Sequence, residues 1–160
     1  MWEVIFIIKK CILFSVVFLL IFLLFSCSED LDADKLLGEF IAAYGAEGVI
    51  YSPTVSEGDN GYIDEGFVDR IYVYEGEFPE NYAIFLNSHP YFGSECGVFI
   101  CANDYERELV TEMCEERIEL IGRTDGVAFI LRSGNVIFYS TFEDREMAEA
   151  LWRKIIKSYT

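Results

Sequence analysis

The stretch around residue 89 contains the side-chain types of a hydrolase: a histidine, a serine and a cysteine. His89 is the only histidine in the 160-residue chain, and Ser94 and Cys96 follow it closely. A histidine activates a serine or cysteine nucleophile when the two side chains lie within hydrogen-bonding distance. Because Pro90 follows His89 directly, extended or turn backbone is favoured there. We therefore predict an exposed turn histidine, and a small envelope hydrolase using His89 with Cys96 or Ser94 is the alternative.

Other catalytic and metal-binding patterns are weak or absent in this sequence. It contains no G-x-S-x-G, no H-E-x-x-H and no phosphate-binding glycine loop. The loop around Gly61 resembles the middle of a calcium-binding EF-hand, but Phe67 stands where that pattern needs a glutamate with two ligating oxygens. We therefore predict no catalytic residue, no metal site and no cofactor, with loose calcium binding by this acidic loop as the alternative.

A further site of chemistry lies near the N-terminus, where Cys27 follows a largely apolar run. This run, Cys11–Phe25, is 15 residues long and follows Lys9 and Lys10, and a polar, acidic chain begins after Cys27. A helix needs about 20 residues to cross a bilayer core. A shorter apolar run behind positive charge is typical of a secretory signal peptide.

The residues before Cys27 indicate what kind of signal this is. Leu24, Ser26 and Cys27 match the bacterial lipobox, although Phe25 is larger than the residue usual at its position. The lipobox pattern implies that the Cys27 thiol receives diacylglycerol and that signal peptidase II cleaves before it. Several acyl chains would then hold the protein on the extracytoplasmic face of the bacterial cell membrane. The alternatives are an uncleaved anchor over residues 2–25 and a soluble secreted protein.

Removal of the signal makes the chain more acidic. The whole sequence has 12 basic and 28 acidic residues and a net charge of −16. Residues 1–26 include Lys9, Lys10 and Glu3, so the mature chain has 10 basic and 27 acidic residues and a charge of −17. This charge argues against nucleic acid as a partner, because that affinity depends on lysine and arginine at phosphates.

Three cysteines remain once the signal and the acylation site are set aside. They are Cys96, Cys101 and Cys114, and no C-x-x-C or cysteine/histidine spacing connects them. We predict that they are small buried hydrophobic residues. A single disulfide among them is the alternative, because export to an oxidising compartment permits one.

Three amphipathic helices are predicted from hydrophobic spacing and capping residues. The first covers Leu31–Tyr44 and ends at the following glycine. Asn103 begins the second, because Glu106 three residues later completes a capping box, and Gly122 ends it. The third follows Thr141 as its cap.

Glycine-punctuated residues 45–66 are predicted to form a loop, and residues 67–74 fit either a strand or a short helix. Short β-branched and aromatic runs predict four strands, the last two joined by a hairpin at Ser133-Gly134: Tyr82–Asn87, Gly97–Ala102, Val127–Leu131 and Val136–Tyr139. The ββα-ββα order predicts an α+β, two-layer domain over residues 31–160, with an antiparallel sheet and helices packed on one face. A signal or anchor helix (residues 1–26), a short tether (27–30) and the first amphipathic helix precede it.

Two groups of side chains are candidates for surfaces. Tyrosine combines apolar area with a polar tip, which suits a binding surface. We predict such a surface from residues 51–92, and the alternative is that these rings fill the gap between sheet and loop: Tyr62, Tyr72, Tyr74 and Tyr91, with Tyr51 and Tyr82 nearby. A glutamate run in the second helix is predicted to be its solvated face: Glu112, Glu115, Glu116 and Glu119.

Several of these features together resemble a family of small lipoproteins of Gram-positive anaerobes, known only as a domain of unknown function. The resemblance rests on the lipobox, on the acidic helix start at residues 30–37, on Glu95 before its strand and on Arg117 within the second helix. The final hairpin and helix complete it. The resemblance implies a location in the cell envelope and carries no known activity.

The sequence therefore predicts a membrane-anchored extracytoplasmic lipoprotein that acts as a non-enzymatic binding or interaction module. Its predicted partners are the lipid bilayer, through acylated Cys27, and an envelope protein or small ligand. Besides the hydrolase, a structural or stress lipoprotein without a discrete ligand remains an alternative.

Overall fold

The computed structural model describes residues 31–74, 76–88, 94–123 and 125–159. The lipobox and the predicted signal or anchor helix lie outside these residues. Leu31–Thr160 forms one compact unit. None of the helices in the described ranges has the length and apolarity that crossing a bilayer requires. The elements in chain order are α1 (Ala33–Tyr44), β1 (Gly48–Tyr51), α2 (Phe67–Ile71), β2 (Asn81–Asn87), β3 (Glu95–Ile100), α3 (Asp104–Leu120), β4 (Phe129–Ser133), β5 (Val136–Ser140) and α4 (Arg145–Lys157).

The five strands form one antiparallel sheet in the order β1-β2-β3-β5-β4. All four neighbouring pairs are antiparallel. The predicted α+β class, the antiparallel sheet and the ββα-ββα order from β2 to α4 are therefore confirmed. Strand β1 pairs with β2 at one edge of the sheet. It was not predicted, because the glycines of residues 45–66 indicated a loop throughout that segment. Residues 67–71 form the short helix α2, which settles the open choice in that segment.

Helices cover both faces of the sheet, so the two-layer prediction with helices on one face is wrong. One face packs against α1 and α4, with Phe40 and Trp152 in a fully buried cluster. The other face packs against α2 and α3 around Val110 and Met113. The central strands are buried along almost their whole length because each sends alternate side chains into the two cores. Continuous apolar runs of this kind are typical of strands covered on both faces.

Local capping chemistry sets the helix ends. Asp32 caps α1 by accepting hydrogen bonds from the backbone N–H groups of Asp34 and Lys35, and Gly45 ends that helix with a φ of 80°. Asn103 caps α3 as predicted, because its side chain accepts from the Glu106 N–H at 2.9 Å. The last helical residue of α3 is Leu120, Ile121 is its C-cap, and the predicted stop residue Gly122 follows with a φ of 72°.

The start of α4 differs from the prediction. Asp144, not Thr141, caps this helix and accepts from the Met147 N–H at 2.9 Å. Thr141 is fully buried and its backbone continues the pairing of β5 with β3, with its N–H donating to the Glu95 carbonyl at 2.9 Å. The predicted hairpin between β4 and β5 is confirmed, and its two-residue loop is Gly134-Asn135, with Gly134 at a φ of 62°.

Candidate functional site

Of the three residues named for the alternative hydrolase, the structure describes Ser94 and Cys96. His89 lies outside the described residues. Cys96 is fully buried in the core against α1 and α4, and burial, together with the nearby Glu95 carboxylate, raises the pKa of its thiol well above the usual value. The raised pKa disfavours the thiolate, which is the nucleophilic form of cysteine. Ser94 is also buried, at 7% exposure.

All three described cysteines are buried, free thiols, as predicted. Cys101 and Cys114 lie in the core beneath α3, whereas Cys96 lies on the other face of the sheet. Burial raises the pKa of Cys114 well above its usual value and that of Cys101 to about 11. These thiols therefore behave as apolar core atoms.

The described tyrosines of the predicted surface do not form one patch. Tyr72 is only 3% exposed, so its assignment to a binding surface is wrong. Tyr62 lies at an open pocket with the loop around Asp59 and Asp64, whereas Tyr74 lines a different cavity next to α3. Tyr91 lies outside the described residues. The ring of Tyr72 lies in the core against α2 and α3, where its hydroxyl is hydrogen-bonded to a second buried tyrosine.

A buried ion pair connects β3 with α3. The Arg117 guanidinium donates from Nε to Glu95 Oε1 at 2.7 Å and from Nη2 to Oε2 at 2.6 Å. The Glu95 side chain is 6% exposed and the Arg117 side chain 19% exposed. The hydrogen bonds to Glu95 raise the pKa of Arg117 despite the opposing effect of burial. Such paired, parallel hydrogen bonds fix direction as well as distance.

Two tyrosine hydroxyls extend this ion pair into a network. The Tyr139 hydroxyl donates to Glu95 Oε1 at 2.9 Å and lies 2.6 Å from the Tyr72 hydroxyl. A hydroxyl has a single proton, so Tyr72 donates to Tyr139 while Tyr139 donates to Glu95. Burial is the main cause that raises the pKa of both tyrosines well above the usual value. The Glu95 carboxylate thus accepts three hydrogen bonds, two from Arg117 and one from Tyr139.

Gly97 makes room for the Tyr139 ring. The two residues are paired across β3 and β5, and a Cβ atom at Gly97 would lie 2.6 Å from Tyr139 Cε1. That distance is shorter than any side chain tolerates, so glycine is required for the ring to lie over the strand and bring its hydroxyl to Glu95.

The network also fixes the segment that follows α2. Arg117 Nη1 donates to the Ile71 carbonyl oxygen at 3.1 Å, which ties the end of α2 to α3. The Tyr72 hydroxyl holds the next residue in the core. Val73 and Tyr74, which come directly after, are therefore held beside α3, and Phe78 packs edge-on against Tyr74 with ring centroids 5.3 Å apart.

A cavity of about 260 Å³ lies between this segment and the outer side of α3. Val73 at its edge is 57% exposed. Met113 lines it from the core cluster that also contains Tyr72 and Tyr139. Apolar side chains and two carboxylates line it: Val73, Tyr74, Leu109, Met113, Glu112 and Glu116.

The surface around this cavity is strongly negative. The four glutamates of α3 that were predicted to form a solvated face are all exposed, which confirms that prediction. The nearest arginines of α3 are already paired, since Arg117 bonds to Glu95, and Arg107 bonds to Asp104 at 3.1 Å. Burial raises the pKa of Tyr74, and the negative charge of Glu106 adds to this effect. A cationic group would be favoured here.

The sequence analysis named Glu95 and Arg117 but did not pair them. Arg117 falls at helical spacing from Val110, Met113 and Cys114, on the apolar stripe of α3. A charged residue on an apolar stripe and a carboxylate in a buried strand each need a partner, since an unpaired buried charge is costly. The presence of two such residues of opposite charge, Glu95 and Arg117, was the sequence signal for the ion pair. The cavity has no comparable signal, because it depends on where residues 73–74 lie.

In the described part of the chain, no three histidine, cysteine, aspartate or glutamate side chains come together in an arrangement that could hold a metal ion. No protein-family model, no curated protein and no solved structure matches this chain. The lipoprotein family named from the sequence therefore remains a resemblance.

Proposed function

We propose that this protein is a lipid-anchored, extracytoplasmic binding module that contacts its partner through the cavity beside α3. The observation that carries the binding role is this cavity, which exposed Val73 and two carboxylates, Glu112 and Glu116, line together with Leu109 and Met113. Binding sites are usually concave and combine apolar side chains with a small number of polar or charged groups.

The shape of the site favours binding over chemistry. Its two carboxylates lie on the exposed side of α3. The buried carboxylate beneath it, Glu95, is occupied by Arg117 and Tyr139. The network therefore supports the wall of the cavity by fixing residues 71–74. This arrangement is preorganised, which lowers the ordering cost of binding.

The anchor part of the proposal rests on the sequence. Residues 1–26 act as the signal peptide, Cys27 carries the acyl chains, and residues 28–30 separate it from the domain. Three residues of extended chain span about 10 Å. The domain would therefore meet its partner close to the membrane surface.

The anchor is tested by Cys27→Ala in cells fed a labelled fatty acid. We expect the wild type to incorporate label and the variant to incorporate none and to accumulate as precursor in the membrane fraction. A wild type without label, processed or not, refutes the lipid anchor.

The cavity is tested in the same cells with a photo-reactive amino acid at Val73. We expect a discrete cross-linked product from position 73. The matched control is the same amino acid at Ala150, which is exposed on α4 in the opposite layer. Equal products from both positions, or none from position 73, contradict a specific partner at the cavity.

A further inference from the structure

We infer that the partner at the cavity is a basic, amphipathic peptide segment that lies along α3. This inference rests on the proposed function and names the chemical class of its ligand. Three features of α3 carry it: a continuous exposed stripe, the small size of the cavity and the sign of the surrounding charge.

The exposed stripe of α3 contains apolar residues on both sides of the cavity. Tyr105, near the start of the helix, is 73% exposed, and Leu120, at its end, is 64% exposed. Positions i, i+4, i+7, i+11 and i+15 of a helix fall on one face. The stripe that follows this spacing runs through the cavity: Tyr105, Leu109, Glu112, Glu116 and Leu120.

The length of this stripe indicates a chain segment and not a small molecule. Tyr105 and Leu120 are fifteen positions apart, which is about 22 Å along a helix. Pockets for drug-sized ligands measure about 300–1,000 Å³. The cavity, at about 260 Å³, is smaller than these, so it takes one anchoring side chain of a longer partner. The exposed ends of the stripe then contact residues on either side of that anchor.

The charge of the stripe selects a basic partner. Glu108, Glu112 and Glu119 are exposed on the same side of α3 as Glu116. The arginines of this helix are held by Asp104 and Glu95, so they do not neutralise these carboxylates. Lysines or arginines spaced between apolar residues on the partner would pair with the carboxylates while the apolar residues cover Val73 and Leu120.

The test uses the full chain in nanodiscs of phosphatidylcholine, with empty nanodiscs as the blank. The probe is a fluorescent peptide of alternating lysine and leucine pairs, about 15 residues long, which matches the stripe when helical. We expect saturable binding by fluorescence anisotropy. We expect no saturable binding of the same peptide with glutamate in place of each lysine.

The decisive variant is Glu112→Gln with Glu116→Gln. Two exposed ion pairs together account for about a tenfold change in affinity, so we expect the dissociation constant to rise about tenfold. The matched control, Glu143→Gln with Glu146→Gln, removes the same charge from exposed positions at the start of α4. We expect the control to change the dissociation constant less than about twofold, because distant exposed charges are screened by salt.

Each of the following outcomes overturns the inference. An equal rise in the dissociation constant with both pairs of substitutions would mean that the peptide responds only to the net charge of the protein. Saturable binding of the glutamate peptide would show that the carboxylates of α3 do not select a basic partner. Spermine binding as tightly as the peptide would identify a free amine as the ligand. Cross-linking at position 73 is measured in cells and does not depend on the peptide. If the wild-type protein does not bind the lysine–leucine peptide but still forms the cross-link, only this ligand class is refuted. Peptide binding without cross-links refutes the proposed function.

Discussion

The Arg117 guanidinium holds the Glu95 carboxylate by two hydrogen bonds of 2.6 and 2.7 Å across the interface of α3 and β3. This pair is also the support of the candidate site, because the third guanidinium nitrogen of Arg117 binds the Ile71 carbonyl. The cavity wall at residues 73–74 therefore depends on an ion pair whose arginine also holds the end of α2.

Breaking this pair should destabilise the protein strongly. Arg117→Met leaves the Glu95 carboxylate buried without its cation, and we expect the free energy of unfolding in urea to fall by about 3–5 kcal/mol. The matched control is Arg70→Met, because Arg70 and Asp64 are also 2.6 Å apart but both side chains are 59% exposed. Loss of an exposed pair should cost less than about 1 kcal/mol. Equal losses would show that burial of the Glu95 pair does not matter.

Gly97→Ala should be destabilising because of the Tyr139 ring. The added methyl group would lie 2.6 Å from Tyr139 Cε1 and displace its hydroxyl from Glu95. Forced overpacking of this kind costs about 1–3 kcal/mol. Gly38→Ala is the control, since Gly38 lies within α1 and a Cβ there meets no atom within 4 Å. We expect that substitution to stabilise the protein by about 0.5–1 kcal/mol. A Gly97→Ala variant as stable as the wild type contradicts the close approach.

Stability should fall in alkali because of Tyr72 and Tyr139. Both have a folded-state pKa well above the ordinary value of about 10, owing mainly to burial. The unfolded chain ionises near pH 10 and the folded one does not, so the contribution is complete below about pH 10 and is lost as the pH rises above it. Each such tyrosine lowers the free energy of unfolding by about 1.4 kcal/mol per pH unit there.

This pH dependence can be measured by urea unfolding between about pH 9 and pH 11. The variant Tyr139→Phe keeps the ring and removes one of the two ionising groups. We expect its stability to fall with pH by about 1.4 kcal/mol per unit less than that of the wild type. Identical slopes in the two proteins would show that the Tyr139 hydroxyl ionises normally in the folded state.

The buried thiols should react only when the protein unfolds. Cys96 and Cys114 have strongly raised pKa values, and that of Cys101 is about 11, so little thiolate forms at about pH 8. We expect a thiol reagent to modify them at a rate that follows unfolding as denaturant is added. An Ala150→Cys variant supplies an exposed thiol as the control and should react at once. Fast reaction of Cys96, Cys101 or Cys114 in the wild type without denaturant contradicts their burial.

Local structure was predictable from the sequence where neighbouring residues decide it. The Asn103 cap and the glycine after α1 act within one helical turn, and the structure confirms both. Thr141 was predicted to cap α4, but it lies between a strand and a helix and could belong to either. In the structure it extends the strand, because its backbone N–H donates to the Glu95 carbonyl. Which role it takes depends on β3, which is 46 residues away in the chain.

The candidate surfaces were predicted less well. The exposed glutamates of α3 follow from helical spacing alone, and that prediction is confirmed. Tyr72 was predicted to lie on a surface, but a tyrosine suits both a surface and a core. Its place in the core depends on Tyr139, whose hydroxyl bonds to the Tyr72 hydroxyl. Leu109 directly precedes the buried Val110 in α3, and the sequence has no signal for the cavity that Leu109 lines with residues 73–74.

By itself the sequence determined the Asn103 cap, the apolar strands β2 to β5 and the acidic face of α3, because these depend on residues close together along the chain. It also contains the lipobox, which is a linear pattern around Cys27. Only the tertiary structure decided which face of the sheet α3 covers. That choice pairs Glu95 with Arg117, 22 residues apart, and Tyr72 with Tyr139, 67 residues apart. Continuous apolar strands are compatible with helices on either face, so these contacts exist only once the layers have packed.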